Sequence, residues 1–247
     1  LGIRALPMFA ETEQQKEPNM SIQQLPFLLS IPHGGTQTPQ ELEGRIIISE
    51  HDLFDDSDTF TLEIYDAGDL VIKVLKFDIA RAFVDASRAP HQLPPEFPDG
   101  IIKSSTCLLK PIYSEGLQPD SALQDLLISK YHKQYHDELA VWSNYDKIKL
   151  GLDCHSMLPF APDISPDHGK QRPLINLGNL DGRACPDHIV HVLADSFRRI
   201  FDLPSHEVTL NRPFKGGYIT QKFANNPIPW IQIEMNRSLY LDEQYFD

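Results

Sequence analysis

The chain has 247 residues and 28.1 kDa, with 41% hydrophobic and 23% charged residues, enough to bury a substantial core in one ordinary globular domain and unlike a disordered or fibrous chain. Lys+Arg is 22 against Asp+Glu 35, a formal charge of −13 and a pI near 5.1. Such a surface repels phosphate backbones and anionic lipid, so neither nucleic acid nor a membrane is an expected partner.

No apolar run approaches the roughly 18 residues of a spanning helix. The opening LGIRALPMFAETEQQKEPNM also lacks the apolar stretch of a signal peptide. Cys107, Cys154 and Cys185 are an odd number, too sparse for a disulfide framework. The expectation is a cytoplasmic protein.

In chain order, residues 1–24 are polar and unpatterned and read as a loose arm, leaving 25–247 as a single domain. The first element is the apolar strand FLLSIP, which stops at His33. A helical period covers 57–67, closed by Gly68, and LVIKVL (70–75) is a second strand. Residues 89–100 carry four prolines and read as a loop. Helix is expected over 120–142, strand over 147–155, and a second loop with four prolines and a glycine over 156–173. Strand over 173–179, helix over 186–201 with Pro186 at its start, a weaker strand over 207–211 and strand over 229–235 complete the chain. Strands alternating with helices imply an α/β fold: a single-domain three-layer α/β/α sandwich on a mixed, largely parallel sheet. There is no G-x-G-x-x-G after a strand, no Walker loop and no H-E-x-x-H.

Three strand ends carry residues able to bind metal or move protons: His33 in SIPHGGT, Asp153 and His155 in GLDCHS, and Glu234 in IQIEMNR. Ligands of open α/β sheets sit at the carboxyl ends of strands, so one shared site is expected. Two imidazoles and a carboxylate form a common zinc shell with a fourth position open, and His33 and His155 supply the imidazoles. The acid is one of Asp52, Asp55, Asp56 and Asp58, between which spacing does not choose. Glu234 lies between Ile233 and Met235, where an unpaired carboxylate has a raised pKa and suits a general base; the competing reading is a salt bridge to Arg237 or another buried arginine.

Arg81 and Arg88 are candidates for a local positive field that receives an anion, against a competing reading as surface ion pairs. Asn211 and Lys215, in a glycine turn after a strand, are candidate donors to a substrate carboxylate, or parts of an exposed loop. Cys154 adjoins His155, but neighbours on a strand point to opposite faces, so Cys154 reads as core. His132, His136, His188 and His191, in helical segments, read as surface or packing residues.

These residues, in the order SIPHGGTQTPQEL, SDTFTLEIYDAG, ARAFVDASRAP, GLDCHSM, INLGNLDGRACP, NRPFKGGYITQ and IQIEMNRSLYLD, resemble the N-formylglutamate amidohydrolase family, distant relatives in fold of the zinc carboxypeptidases and the aspartoacylase group, which implies a sandwich of the phosphorylase/hydrolase-like kind. The resemblance runs from about residue 26 to 241. It implies zinc held by His33, Asp58 and His155, with Glu234 as general base. Arg81 would polarise the scissile carbonyl, and Arg88, with Arg237 or Lys215, would grip substrate carboxylates. The implied reaction is hydrolysis of N-formyl-L-glutamate to formate and L-glutamate, a step of histidine degradation, on a small anionic acyl-amino acid and with no implied oligomeric state.

Two departures stand out. Thr36 occupies the acid position of the carboxypeptidase H-x-x-E stretch, and Ser87 stands where the family usually has asparagine. The rival readings are a carboxypeptidase- or aspartoacylase-like hydrolase of another acyl-amino acid or peptide, a non-catalytic small-acid-binding protein, and a Cys154 thiol hydrolase.

Overall fold

The computed structural model describes residues 23–242, so nearly all of the arm expected over 1–24 lies outside the described residues. Six strands form one sheet: β1 (Leu25–Ile31), β2 (Val71–Lys76), β3 (Leu150–Met157), β4 (Ile175–Gly178), β5 (Val208–Leu210) and β6 (Trp230–Asn236). Their order is β2-β1-β3-β6-β4-β5; all neighbours are parallel except β4 and β6, so the sheet is mixed and mostly parallel.

Strict alternation along the central strands explains why they have two chemically different faces. Leu29 and Ile31 of β1, Leu152 and Cys154 of β3, Ile175 and Leu177 of β4, and Ile231 and Ile233 of β6 bury one face. Helix α5 (Asp187–Ile200) covers it with Val190 and Ala194. On the opposite face, Leu28 and Trp230 join a second core with Phe83, Ile101 and two helices, α3 (Ser121–Leu127) and α4 (Lys133–Ser143), linked by a π-helical turn at Ile128–His132. Above Leu28 and Trp230 that same face turns polar, and Ser30, Asp153, His155, Gln232 and Glu234 are all buried there. A sheet covered by helices on both faces satisfies its backbone internally, and its polar side chains then converge where the parallel strands end.

The helix expected over 57–67 is reduced to the single turn α2 (Thr61–Ile64), and a helix that was not expected, α1 (Glu50–Asp56), precedes it. Ser49 caps α1 by accepting from Asp52 N, and Phe60 (φ 60°) breaks the path between the two. Within that break Asp58 donates its backbone N–H to His33 O at 3.0 Å, which holds the segment to the end of β1. The expected strand end at His155 also shifts, since β3 runs on to Met157. The short helix α6 (Tyr218–Lys222) follows the turn at 211–217. No helix among the described residues is long and apolar enough to cross a membrane, and the three cysteines are free.

Candidate active site and metal-binding group

His33 reaches the site because the chain must turn at once after β1. Gly35 permits this, since a Cβ there would lie 2.3 Å from the backbone of Phe77 and Asp78. His155 and Glu234 arrive from adjacent parallel strands, paired with each other in register. His33, Asp58 and His155 are all buried, and one ligand atom from each lies within 4.8 Å of the others. His155 Nδ1 is 3.1 Å from His33 Nδ1 and 3.2 Å from Asp58 Oδ2, and His33 Nδ1 is 3.5 Å from Asp58 Oδ2.

The outer nitrogen of His33 bears on its tautomer. His33 Nε2 lies 2.8 Å from Asp85 Oδ1, and a carboxylate can only accept, so Nε2 carries a ring proton and Nδ1 is the nitrogen able to offer a lone pair. His155 Nε2 lies 3.1 Å from Asp153 Oδ1 without hydrogen-bond alignment, and its Nδ1 shares Asp58 Oδ2 with His33. Two imidazole nitrogens and a carboxylate oxygen therefore face one another in a buried space, where a proton or a cation between them relieves the repulsion of their lone pairs. Atoms about 2.0–2.2 Å from one tetrahedrally bound cation stand about 3.3–3.6 Å apart, close to the separations observed. The donor set and its spacing fit a metal ion.

A family model described as N-formylglutamate amidohydrolase matches residues 25–241. The chain belongs to the N-formylglutamate amidohydrolase family. Its fold is similar to that of the N-formylglutamate amidohydrolase of Ralstonia eutropha, with a TM-score of 0.75 at 22% identity, covering 91% of this chain and 86% of that one. It is similar also to a gene product of Agrobacterium tumefaciens, with a TM-score of 0.61 at 16% identity, covering 90% and 84%. None of the curated proteins matches the sequence.

In this family member a cavity of about 320 Å³ opens onto His33, Asp58 and His155 and is lined also by Glu234, Arg81, Arg88, Arg172, Arg237 and Lys215. Burial works against ionising Asp58. Hydrogen bonding with His155 and His33 and the charge of Arg81 outweigh it and hold the carboxyl well below the usual range. Burial likewise opposes a charged His155, but Asp153 and Asp58 draw its pKa well above that of a free imidazole, the same pull a metal cation would answer. Burial pushes Glu234 up to about 7, against the lowering effects of His155 and of a hydrogen bond from Gln232. Glu234 is thus not salt-bridged to Arg237. That guanidinium donates to Asp55 O at 2.9 Å and Ser156 Oγ at 3.2 Å and stands 3.6 Å from Asp58 Oδ1.

The remaining candidates divide. Arg81 stands 3.5 Å from both Asp58 and Asp85 and lines the cavity. Arg88 pairs with Asp99 at 2.5 Å, and Lys215 pairs with Asp181 at 2.9 Å. Asn211 does not line the cavity; its Oδ1 accepts from Asn179 N and Asp181 N and its Nδ2 donates to Asn179 Oδ1. Cys154 is buried on the opposite face, and burial holds its thiol well above the ordinary range, so no nucleophile is available there. His132 and His136 are packing residues. Their Nε2 atoms lie 2.9 Å from the carbonyls of Arg88 and Ala86, on either side of Ser87.

Sequence reasoning assigned no role to Asp85, Gln232 or Arg172. Asp85 lay inside the quoted ARAFVDASRAP fragment, and Gln232 stands two residues before Glu234 on the same strand face. Arg172 lies at the end of a proline-rich loop, held by Asp167 at 3.1 Å and lying over Phe214, and no spacing signal points to it.

Proposed function

We propose that this chain is a zinc-dependent amidohydrolase that cleaves the amide of an N-acylated acidic amino acid, with N-formyl-L-glutamate, giving formate and L-glutamate, as the leading substrate. The unit carrying the reaction would be the domain 25–247, outside the arm 1–24. The observation that supports this most is the conjunction of a buried His33/Asp58/His155 group with a carboxyl poised near neutrality in the same cavity. At about 320 Å³ the cavity suits a small molecule and not a folded chain.

When bound, a zinc ion supplies Lewis acidity, which acidifies water and polarises an acyl oxygen. The protein supplies the rest. Glu234 takes a proton from the attacking water and returns it to the leaving amine nitrogen, a task for which a pKa near 7 is matched to neutral pH. Arg81 donates toward the acyl oxygen as negative charge develops there. Arg88, Lys215 and the Nη2 side of Arg237 receive the substrate carboxylates, so an acidic protein presents a basic cavity to an anion.

Metal analysis coupled to assay of formate release, before and after chelation, tests the reading. Glu234→Gln should keep fold and metal while turnover falls by roughly 10²–10⁴-fold. Substantial residual turnover would remove Glu234 from the role of base. The second reading keeps the site and changes the acyl-amino acid, and Ser87 favours it, because a short hydroxyl lines the cavity where the family usually has a longer amide. A panel of formyl, acetyl and succinyl amino acids and short peptides separates the two.

A further inference from the structure

The polar face of β6 holds one side chain that the mechanism above leaves unused. Gln232 precedes Glu234 by two residues, so both side chains leave the same face of the strand, and both are buried at the cavity. The Gln232 Oε1 accepts the backbone N–H of Gly217, and its Nε2 donates to Glu234 Oε1 at 2.6 Å. These partners permit a single orientation of the amide: a peptide N–H can only donate, and an ionised carboxylate can only accept. Glycine is needed for the approach, since a Cβ at 217 would stand 2.8 Å from Ser87 Oγ and 3.2 Å from Gln232 Oε1. Among the described residues no second donor reaches the Glu234 carboxylate.

We propose that Gln232 is a positioning residue that ties down Oε1 of Glu234 and leaves Oε2 as the oxygen that takes and returns the proton. A proton on Oε1 would make that oxygen a hydroxyl, a poorer acceptor for the amide, so protonation at Oε2 keeps the Gln232 bond intact. The relay also ties the base to residues 213–217, which line the same cavity, so base and lining hold a common geometry. The proposal rests on Glu234 being the base, and its test separates the two claims.

Crystal structures and steady-state kinetics of Gln232→Met and Gln232→Glu provide that test. Gln232→Met removes both hydrogen bonds. Gln232→Glu keeps an acceptor for Gly217 but replaces the fixed amide donor by a carboxyl that must share a proton with Glu234, and covers the case in which the methionine variant does not fold. In each, kcat should fall by roughly 10–100-fold with KM changed by less than about threefold and metal content unchanged, a loss typical of a displaced supporting group. Glu234 should leave its wild-type orientation in the methionine variant. The Gly217 amide proton resonance should move upfield in Gln232→Met and hold its position in Gln232→Glu. A rise in KM at unchanged kcat would make Gln232 a substrate contact and overturn the proposal, as would an unmoved Glu234 in the methionine variant. Turnover surviving in Glu234→Gln would overturn the base assignment instead, and the orientation of Glu234 in the Gln232→Met crystals would still decide the positioning claim.

Discussion

His33 shows how a candidate ligand is oriented by a residue outside its own cluster. Its Nδ1 faces Asp58 and His155 while Asp85, fully buried, accepts a hydrogen bond from its Nε2. Asp85 is itself kept ionised: burial opposes its charge, but His33, Lys103, Arg88 and Arg81 hold its carboxyl well below the usual range. Asp85→Asn should therefore weaken metal affinity by about 10–100-fold, measured by competition with a chromophoric chelator. An unchanged affinity would show that the ring orientation is secured without it. The acid of the metal-binding group illustrates the opposite problem. Four aspartates lie within HDLFDDSD, and nothing in their spacing separates them. Asp52 accepts from Ser49 at the start of α1, Asp55 pairs with His51, Asp56 accepts from Cys107 N, and Asp58 alone reaches His33 and His155.

At the scale of elements, burial explains what the pattern reading found and where it slipped. The strands were legible because β3 and β6 are buried nearly end to end and read as apolar runs, interrupted only where they serve the site. The helix expected over 57–67 fails at Phe60 and Asp58, because a tertiary hydrogen bond to His33 O outweighs local helical period. The turn at 211–217 was read as a possible carboxylate grip, and part of it faces elsewhere. Asn211 has φ 56°, its Oδ1 accepts from the backbone N–H groups of Asn179 and Asp181, and its Nδ2 donates to the Asn179 side chain. Asn211→Ala should therefore cost about 1–3 kcal/mol in urea unfolding while leaving KM within about twofold. A large rise in KM without loss of stability would place the amide on the substrate.

On the scale of the whole molecule, charge is sorted between surface and cavity. The chain carries −13 overall, yet Arg81, Arg88, Arg172, Lys215 and Arg237 line one cavity together with Asp58, Asp99 and Glu234, and each of the five cations stands against an aspartate. The core stores a second, acid-sensitive feature. Burial lowers His132 from 6.5 to about 4 and His136 to about 3, and both stay neutral as they hold the carbonyls beside Ser87. Because their folded values lie below the unfolded one, the unfolded chain takes up protons first as pH falls. Their contribution is whole above pH 6.5 and is lost progressively toward pH 4 and then 3. By pH 5 the loss should be on the order of 2 kcal/mol for each imidazole. A urea midpoint that stays level between pH 7 and 5 would contradict this.

The amino-acid sequence by itself determined the alternation of strands and helices, the burial of a mixed sheet, and the placing of His33, His155 and Glu234 near strand ends. These follow from hydrophobic period and from the few places where polar residues interrupt it, both local properties of the chain. Tertiary structure decided which aspartate meets the two imidazoles, which nitrogen of His33 is free, and which partner Glu234 has. Those depend on atoms brought within about 3 Å from segments many residues apart, and hydrogen-bond geometry at that range leaves no trace in spacing along the chain.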